Sequence, residues 1–329
     1  MPFPASSGAD AEGLWQRFCA LLWHDPTQGI WLDVSRMAIE PADLEALAPR
    51  FDQAFAAMAA LEAGSIANAD EQRQVGHYWL RQPSLAPDPQ AAIHIDQEID
   101  RIEAFGREVL AGSLASPSGK PFTDVLWIGI GGSGLGPLLI LRALQTPGEG
   151  LPFHFFDNVD PDGMGRTLAT LEGRLDTTLV IVVSKSGGTP EPRLGMQQAR
   201  AALEAAGCSW PAQAVAVTMA GSQLDQVAEA GGWLARFDLF DWVGGRTSIT
   251  SVVGLLPGAL IGADIRAFLE GAAAMDACTR LADASANPAA LLATAWWVAG
   301  GGQGKRDMVV LPYRCLLYTS DAADEGLGV

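Results

Sequence analysis

The chain has 329 residues, 49% of them hydrophobic, which is more than one typical domain needs and enough for a substantial core. Its formal net charge is −17, from 38 acidic against 21 basic residues. A surface that acidic repels nucleic acid and anionic membranes, so neither is an expected partner, and an anionic ligand needs its own patch of donors.

The opening MPFPASSGADAEG has neither the basic start nor the apolar centre of a secretory signal. Residues 10–112 read as helical. ADLEALAPRFDQAFAAMAALEAG spaces apolar residues by three and four, with Gly64 as a stop. IHIDQEIDRIEAFGREVLAG repeats the pattern with Ile95, Ile99, Ile102, Phe105 and Leu110 on one face, after the proline-rich connector RQPSLAPDPQ. This region carries no visible chemistry and reads as a helical cap on the domain C-terminal to it.

From about residue 118 the pattern changes. Short β-branched and aromatic runs, DVLWIGI (124–130), PFHFFDN (152–158), TLVIVVS (178–184), QAVAVTM (213–219) and WLARFDL (233–239), alternate with helical stretches near 135–145, 163–173, 191–207 and 222–230. Near-continuous apolar strands joined by helices predict a parallel sheet covered on both faces, with any ligand outside the carboxyl ends of the strands. The uncharged run 125–141 is 17 residues long with five glycines and a proline, too short to span a bilayer of about 20 residues. Beyond residue 246 the chain predicts a further apolar helix, then ANPAALLATAWWVAGG with Trp296 and Trp297 as core residues. DMVVLPY (307–313) reads as the first strand of a second α/β unit.

Three loops after strands carry chemistry. GIGGSGLGP places Gly129, Gly131 and Gly134 at the G-x-G-x-x-G spacing, and Asp157 follows 23 residues after Gly134, as in a dinucleotide site. The same geometry suits any phosphate, because glycines let backbone N–H groups approach an anion at a helix start, and Ser133 adds a hydroxyl. VVSKSGGTPEP crowds Ser184, Lys185, Ser186 and Thr189 onto one turn, a volume suited to a single terminal phosphate. Serine and threonine favour helix starts regardless of ligand, which accounts for one hydroxyl better than for three. In FDWVGGRTSIT, Arg246 opens a helix, where its cation opposes the helix dipole unless an anion is shared nearby. A salt bridge to Asp241 is the plainer account.

GIGGSGLGP, DNVDPDG, SKSGGTPEP and DWVGGRTS, in that order and followed by VVLPY, resemble the glucose-6-phosphate isomerase family in its bacterial, cyanobacterial-type branch, from about residue 70 (GHYWLR) to Tyr313. The resemblance implies a three-layer αβα parallel-sheet sugar-isomerase (SIS) domain at 118–262. It would follow an N-terminal helical region (1–117) and precede the start of a second, incomplete SIS domain (263–313). It implies that Gly132, Ser133, Ser184, Lys185, Ser186 and Thr189 surround the substrate phosphate, with Gly245 in close approach, and that Arg246 is catalytic, stabilising an enediolate. The implied reaction interconverts glucose 6-phosphate and fructose 6-phosphate without metal or cofactor, in a cytoplasmic homodimer. Asp157 then falls in the family's DNxDPDG segment and needs no nucleotide to explain it.

Family members carry a glutamate base, and a histidine and a lysine for ring opening, beyond the LPY strand. Residues 314–329 do not match that pattern, and Glu325 has no family context, so the expectation is a C-terminally truncated member that is inactive as given. Three alternatives stay open. They are an isomerase that also accepts mannose 6-phosphate, a non-catalytic sugar-phosphate sensor, which would not need Arg246, and an NAD-dependent dehydrogenase. Cys19, Cys208, Cys278 and Cys315 form no C-x-x-C pair and read as free thiols in a reducing compartment. His24, His77, His94 and His154 are scattered and predict no metal centre.

Overall fold

A computed structural model describes residues 10–307, Val309 and Leu311. The expected strand DMVVLPY therefore falls largely outside the described residues, as does the tail after Tyr313. Two compact units form. One is Leu61–Leu269, and the other combines the described residues up to Ala60 with those from Glu270 to Val309. The first unit is continuous across 117/118, the boundary read from sequence, because the helix before that point packs on the sheet after it.

The Leu61–Leu269 unit is built on five parallel strands, β1 (Asp124–Ile128), β2 (Phe153–Phe156), β3 (Thr178–Val183), β4 (Ala214–Thr218) and β5 (Ala235–Asp238), in the order β2-β1-β3-β4-β5. Every residue of β1, β3 and β4 is buried, which is why these strands read as unbroken apolar runs. Side chains alternate between two cores. Val125, Trp127, Leu179, Ile181, Val183, Val215 and Val217 face one; Leu126, Ile128, Val180, Val182, Ala214 and Ala216 face the other.

Among the helices that cover the sheet are α1 (Pro89–Leu110), α2 (Gly132–Leu144), α3 (Pro161–Thr170), α4 (Pro190–Ala205), α5 (Gln223–Ala230) and α6 (Val252–Leu260). Helix α1 is started by Asp88, whose side chain accepts from Gln90 N, and by Pro89 at its first position. It buries Ile95, Ile99, Ile102, Phe105 and Val109 on the first core. Val109 replaces the expected Leu110, which stays 40% exposed, because 3.6 residues per turn carry position 110 off the buried face. Helix α6 joins the same layer, and α2 packs there through Ile140 and Leu141 against Phe153 and Phe155. Helices α3, α4 and α5 cover the opposite face with Met164, Ala199, Leu203, Leu224 and Ala228. The fold is the expected three-layer αβα arrangement. The connections leaving β1 and β3 go to opposite faces, so a crevice opens between those neighbouring strands at their carboxyl ends.

Two readings of helical extent are corrected. The stretch 10–112 is not helical throughout. It contains antiparallel hairpins Leu22–Asp25/Ile30–Asp33 and Ile66–Asn68/Arg73–Gln74. The single apolar helix expected after residue 246 is three pieces. A 3-10 turn over Gly245–Thr250 leads into α6, and Gly262 at φ +79° breaks the chain before a helix at Ile265–Thr279. Such a left-handed backbone ends a helix whatever the apolar pattern on either side.

In the other unit, helix Ala11–Leu21, the first hairpin and helix Pro288–Ala299 gather around Leu21, Val34, Ile39, Leu291 and Ala295. Trp296 and Trp297 are 42% and 39% exposed, not core. The Arg50 guanidinium lies 4.7 Å over the Trp297 ring. Among the described residues no helix is long and apolar enough to cross a membrane.

Candidate phosphate-binding site

The first loop passes from β1 to α2 in a turn of glycines, with Gly131 at φ +59° as the helix N-cap. Pro137 lies in the second turn of α2 and has no N–H to give the Ser133 carbonyl four residues earlier. The indole N–H of Trp127 donates to that carbonyl instead, at 2.7 Å. A fully buried tryptophan on β1 thus fixes the backbone of Ser133 at the helix start.

The second loop leaves β3. Ser184 is buried, and its hydroxyl accepts from Gly187 N at 3.2 Å; the Ser186 hydroxyl accepts from Gly188 N at 3.2 Å. These bonds are local turn geometry, but an accepting hydroxyl keeps its own proton for a second partner. Thr189 is the N-cap of α4 and makes no side-chain cap bond. Pro190 and Pro192 lack N–H groups, which leaves this helix end fewer backbone donors for an anion and gives the hydroxyls more weight. Gly187 sits at φ +71°, where a β-carbon would also lie 2.2 Å from Leu224 N, so only glycine fits the turn.

The third loop runs from β5 to the turn that carries Arg246, its second residue, exposed at the surface. It meets the first loop at Gly132, where a β-carbon would lie 2.2 Å from the Gly245 carbonyl oxygen. It meets the second loop through Lys185, whose ammonium donates to the carbonyls of Asp241 and, at 2.9 Å, Val243. Two of the three Lys185 protons therefore hold the third loop rather than face a ligand. Burial lowers the pKa of this ammonium, and the charge of Arg73 adds to the effect. Contacts thus bring Gly132 to Gly245 and Lys185 to Asp241 and Val243, with Ser133 next to Gly132 on the first loop, Ser184, Ser186 and Thr189 on the second and Arg246 on the third.

Sequence reading missed the support behind this site. Gly76 N donates to the Trp242 carbonyl at 3.1 Å, and a β-carbon on Gly76 would meet the Trp79 and Trp242 rings. Arg73, paired with Glu71 at 2.9 Å, brings a second cation near Lys185. Only the GHYWLR signature hinted at this segment. Two carboxylates were also unsuspected, Glu98 buried and Asp238 half-buried. Glu98 accepts from Asp238 N at 2.7 Å and pairs with Arg101, and burial raises the pKa of both Glu98 and Asp238. Their bonds to backbone and arginine give them a structural use at the end of β5.

A model of the phosphoglucose isomerase family matches residues 33–320. The chain belongs to that family. The match reaches past Tyr313, and it begins well before GHYWLR. The glucose-6-phosphate isomerase of Synechococcus sp. (strain CC9605) is 68% identical over 333 residues, covering 100% of this chain and 63% of that protein. That of Parasynechococcus marenigrum (strain WH8102) is 67% identical, covering 100% and 60%. Among solved structures, a glucose-6-phosphate isomerase from Chlamydia trachomatis D/UW-3/Cx superposes with a TM-score of 0.82 at 29% identity, over 98% of this chain and 62% of that one. The chain spans roughly three fifths of the length of these isomerases.

Proposed function

We propose that this chain provides the phosphate-gripping part of a glucose-6-phosphate isomerase. The observation that carries the reading is the convergence of three loops at the switch of the sheet, with Gly132 against Gly245 and Lys185 tied to Asp241 and Val243. The hydroxyls of Ser133, Ser184, Ser186 and Thr189, with the second-loop N–H groups, suit one dianionic phosphate in a protein of net charge −17.

Converting an aldose phosphate to a ketose phosphate moves one proton from C2 to C1 and one between the two oxygens. Nothing is oxidised or reduced overall, and water is not consumed. Negative charge develops on the enediolate oxygens as the C2 proton leaves. A guanidinium fixed beside them lowers that barrier without reorganising solvent, which is the role assigned to Arg246. The phosphate, remote from the reacting carbons, supplies binding energy that holds C1 and C2 in place. The carboxylate that carries the proton, and the ring-opening groups, are assigned to no residue here. A homodimer and a cytoplasmic site of action are part of the same proposal.

Calorimetric titration of the chain with glucose 6-phosphate and fructose 6-phosphate tests the reading, with the Ser186→Ala variant in parallel. Both sugars should bind, and the variant should bind each more weakly. Enhanced NADH fluorescence on mixing with the chain, with no heat from either sugar phosphate, would overturn it.

A further inference from the structure

Three consecutive carbonyls at the start of the third loop are taken by two other segments. Lys185 holds those of Asp241 and Val243, and Gly76 N holds that of Trp242 between them. Val243 N also donates to the Phe240 carbonyl at 3.1 Å, so this short stretch is a closed turn whose carbonyls are held by two other segments. Arg246 follows three residues later, with Gly245 seated on Gly132. Lys185 is itself flanked by Ser184 and Ser186, so its backbone belongs to the proposed nest while its ammonium belongs to the neighbouring loop. Met219 N and the Thr218 hydroxyl hold the Lys185 carbonyl, at 3.1 and 3.2 Å, which leaves the side chain to bridge outward.

We propose that Lys185 is a positioning residue that couples the phosphate nest to Arg246, holding the Asp241–Val243 segment in register with the second loop instead of gripping the phosphate. The coupling rests on the isomerase reading of the nest; the clamp itself does not. An ammonium held by two carbonyls is directional and half-buried, so two of its three donors are committed. A phosphate seated on Ser184 and Ser186 restrains the backbone on both sides of Lys185. That restraint passes along the side chain to the loop bearing Arg246. The strengthening of the nest by an anion is thereby felt at the residue placed to meet the enediolate.

Removing the ammonium should leave the fold intact, because Phe240 and Val243 stay buried and Phe240 stacks on Trp242 at 4.7 Å. The test uses the 329-residue chain and the variant Lys185→Met, with Lys185→Gln as substitute should the first fail to fold. Amide hydrogen exchange across residues 241–247 is followed with and without inorganic phosphate, and phosphate affinity is measured by calorimetry. Without ligand, exchange in this segment should be at least about tenfold faster in the variant, the scale of even one of the two charge-assisted hydrogen bonds it loses. Phosphate should slow that exchange in the unmodified chain and not in the variant, while affinity changes by less than about threefold, under half of that decade in free energy. Ligand-free exchange equal in the two proteins overturns the clamp, whatever happens to affinity. Equal slowing by phosphate in both overturns the coupling. Failure of the isomerase reading is separately visible, as absence of phosphate binding by the unmodified chain, and the ligand-free comparison then still decides the clamp.

Discussion

Gly132 lies so close to Gly245 that a β-carbon on the first would sit 2.2 Å from the carbonyl oxygen of the second. The first and third loops are therefore spaced by backbone thickness alone, and the partner atom cannot rotate away as a side chain would. Gly132→Ala should destabilise the chain by about 1–3 kcal/mol, the usual cost of an overpacked contact. Urea unfolding measures it, and an unchanged midpoint would mean that the third loop yields freely.

Thr189 and Ser186 are expected to hold the phosphate through charge-assisted bonds worth about 1.5–3 kcal/mol each. In a chain completed to the length of its relatives, Thr189→Ala or Ser186→Ala should raise the Michaelis constant for glucose 6-phosphate about tenfold or more. Steady-state kinetics decide it. An unchanged constant in both variants removes the second loop from phosphate binding.

In the same completed chain, Arg246→Ala should lower turnover on the order of 10²-fold or more while leaving substrate binding nearly intact. The sign of the split matters more than its size. Loss of binding with turnover preserved would assign Arg246 to the phosphate.

His77 is largely buried, its Nδ1 has no hydrogen-bond partner, and its ring lies 3.9 Å from that of Tyr78. Burial, with Arg81 nearby, lowers its pKa from 6.5 to about 4. Between those values the unfolded chain binds the proton more readily, so stability should rise with pH across that window and fall on acidification. Carboxylates contribute to the same slope, so the comparison with His77→Phe isolates the histidine. The variant should lose less stability than the unmodified chain between pH 7 and pH 4.5, as read from urea midpoints.

Asp124 is fully buried at the other end of β1. It accepts from Arg174, from His154 Nε2 at 2.8 Å if that nitrogen carries the proton, and from the Thr123 hydroxyl at 2.8 Å. Asp124→Ala leaves these donors without their carboxylate. The cost of breaking such a buried pair is about 3–5 kcal/mol, toward the lower figure here because Arg174 is half exposed and can be rehydrated. Chemical denaturation measures it, and a loss below 1 kcal/mol, the scale of a surface ion pair, would show that the cluster is not structural.

The layered fold was legible because its cause is local. Strands β1, β3 and β4 are apolar on both faces, and only a sheet covered on both faces buries such runs. The loops after β1, β3 and β5 stood out for the same reason, since glycines and hydroxyls at strand-to-helix turns announce themselves in the chain. The broken helix after Arg246 was not, because Gly262 can continue or end a helix and its φ depends on what surrounds it.

The sequence alone determined which residue types stand on the three loops and the order in which they come. Only the tertiary structure decided which atoms each one meets there. The strand order β2-β1-β3 makes neighbours of loops some 50 residues apart in the chain and opens the crevice between them. Lys185 illustrates the difference. Read in sequence it stands among serines as one more phosphate donor, whereas in the fold its ammonium reaches the carbonyls of Asp241 and Val243. A side chain of that length has many partners within reach. Which of them it meets is set by backbone brought close from elsewhere in the chain, and no local pattern of residues encodes that approach.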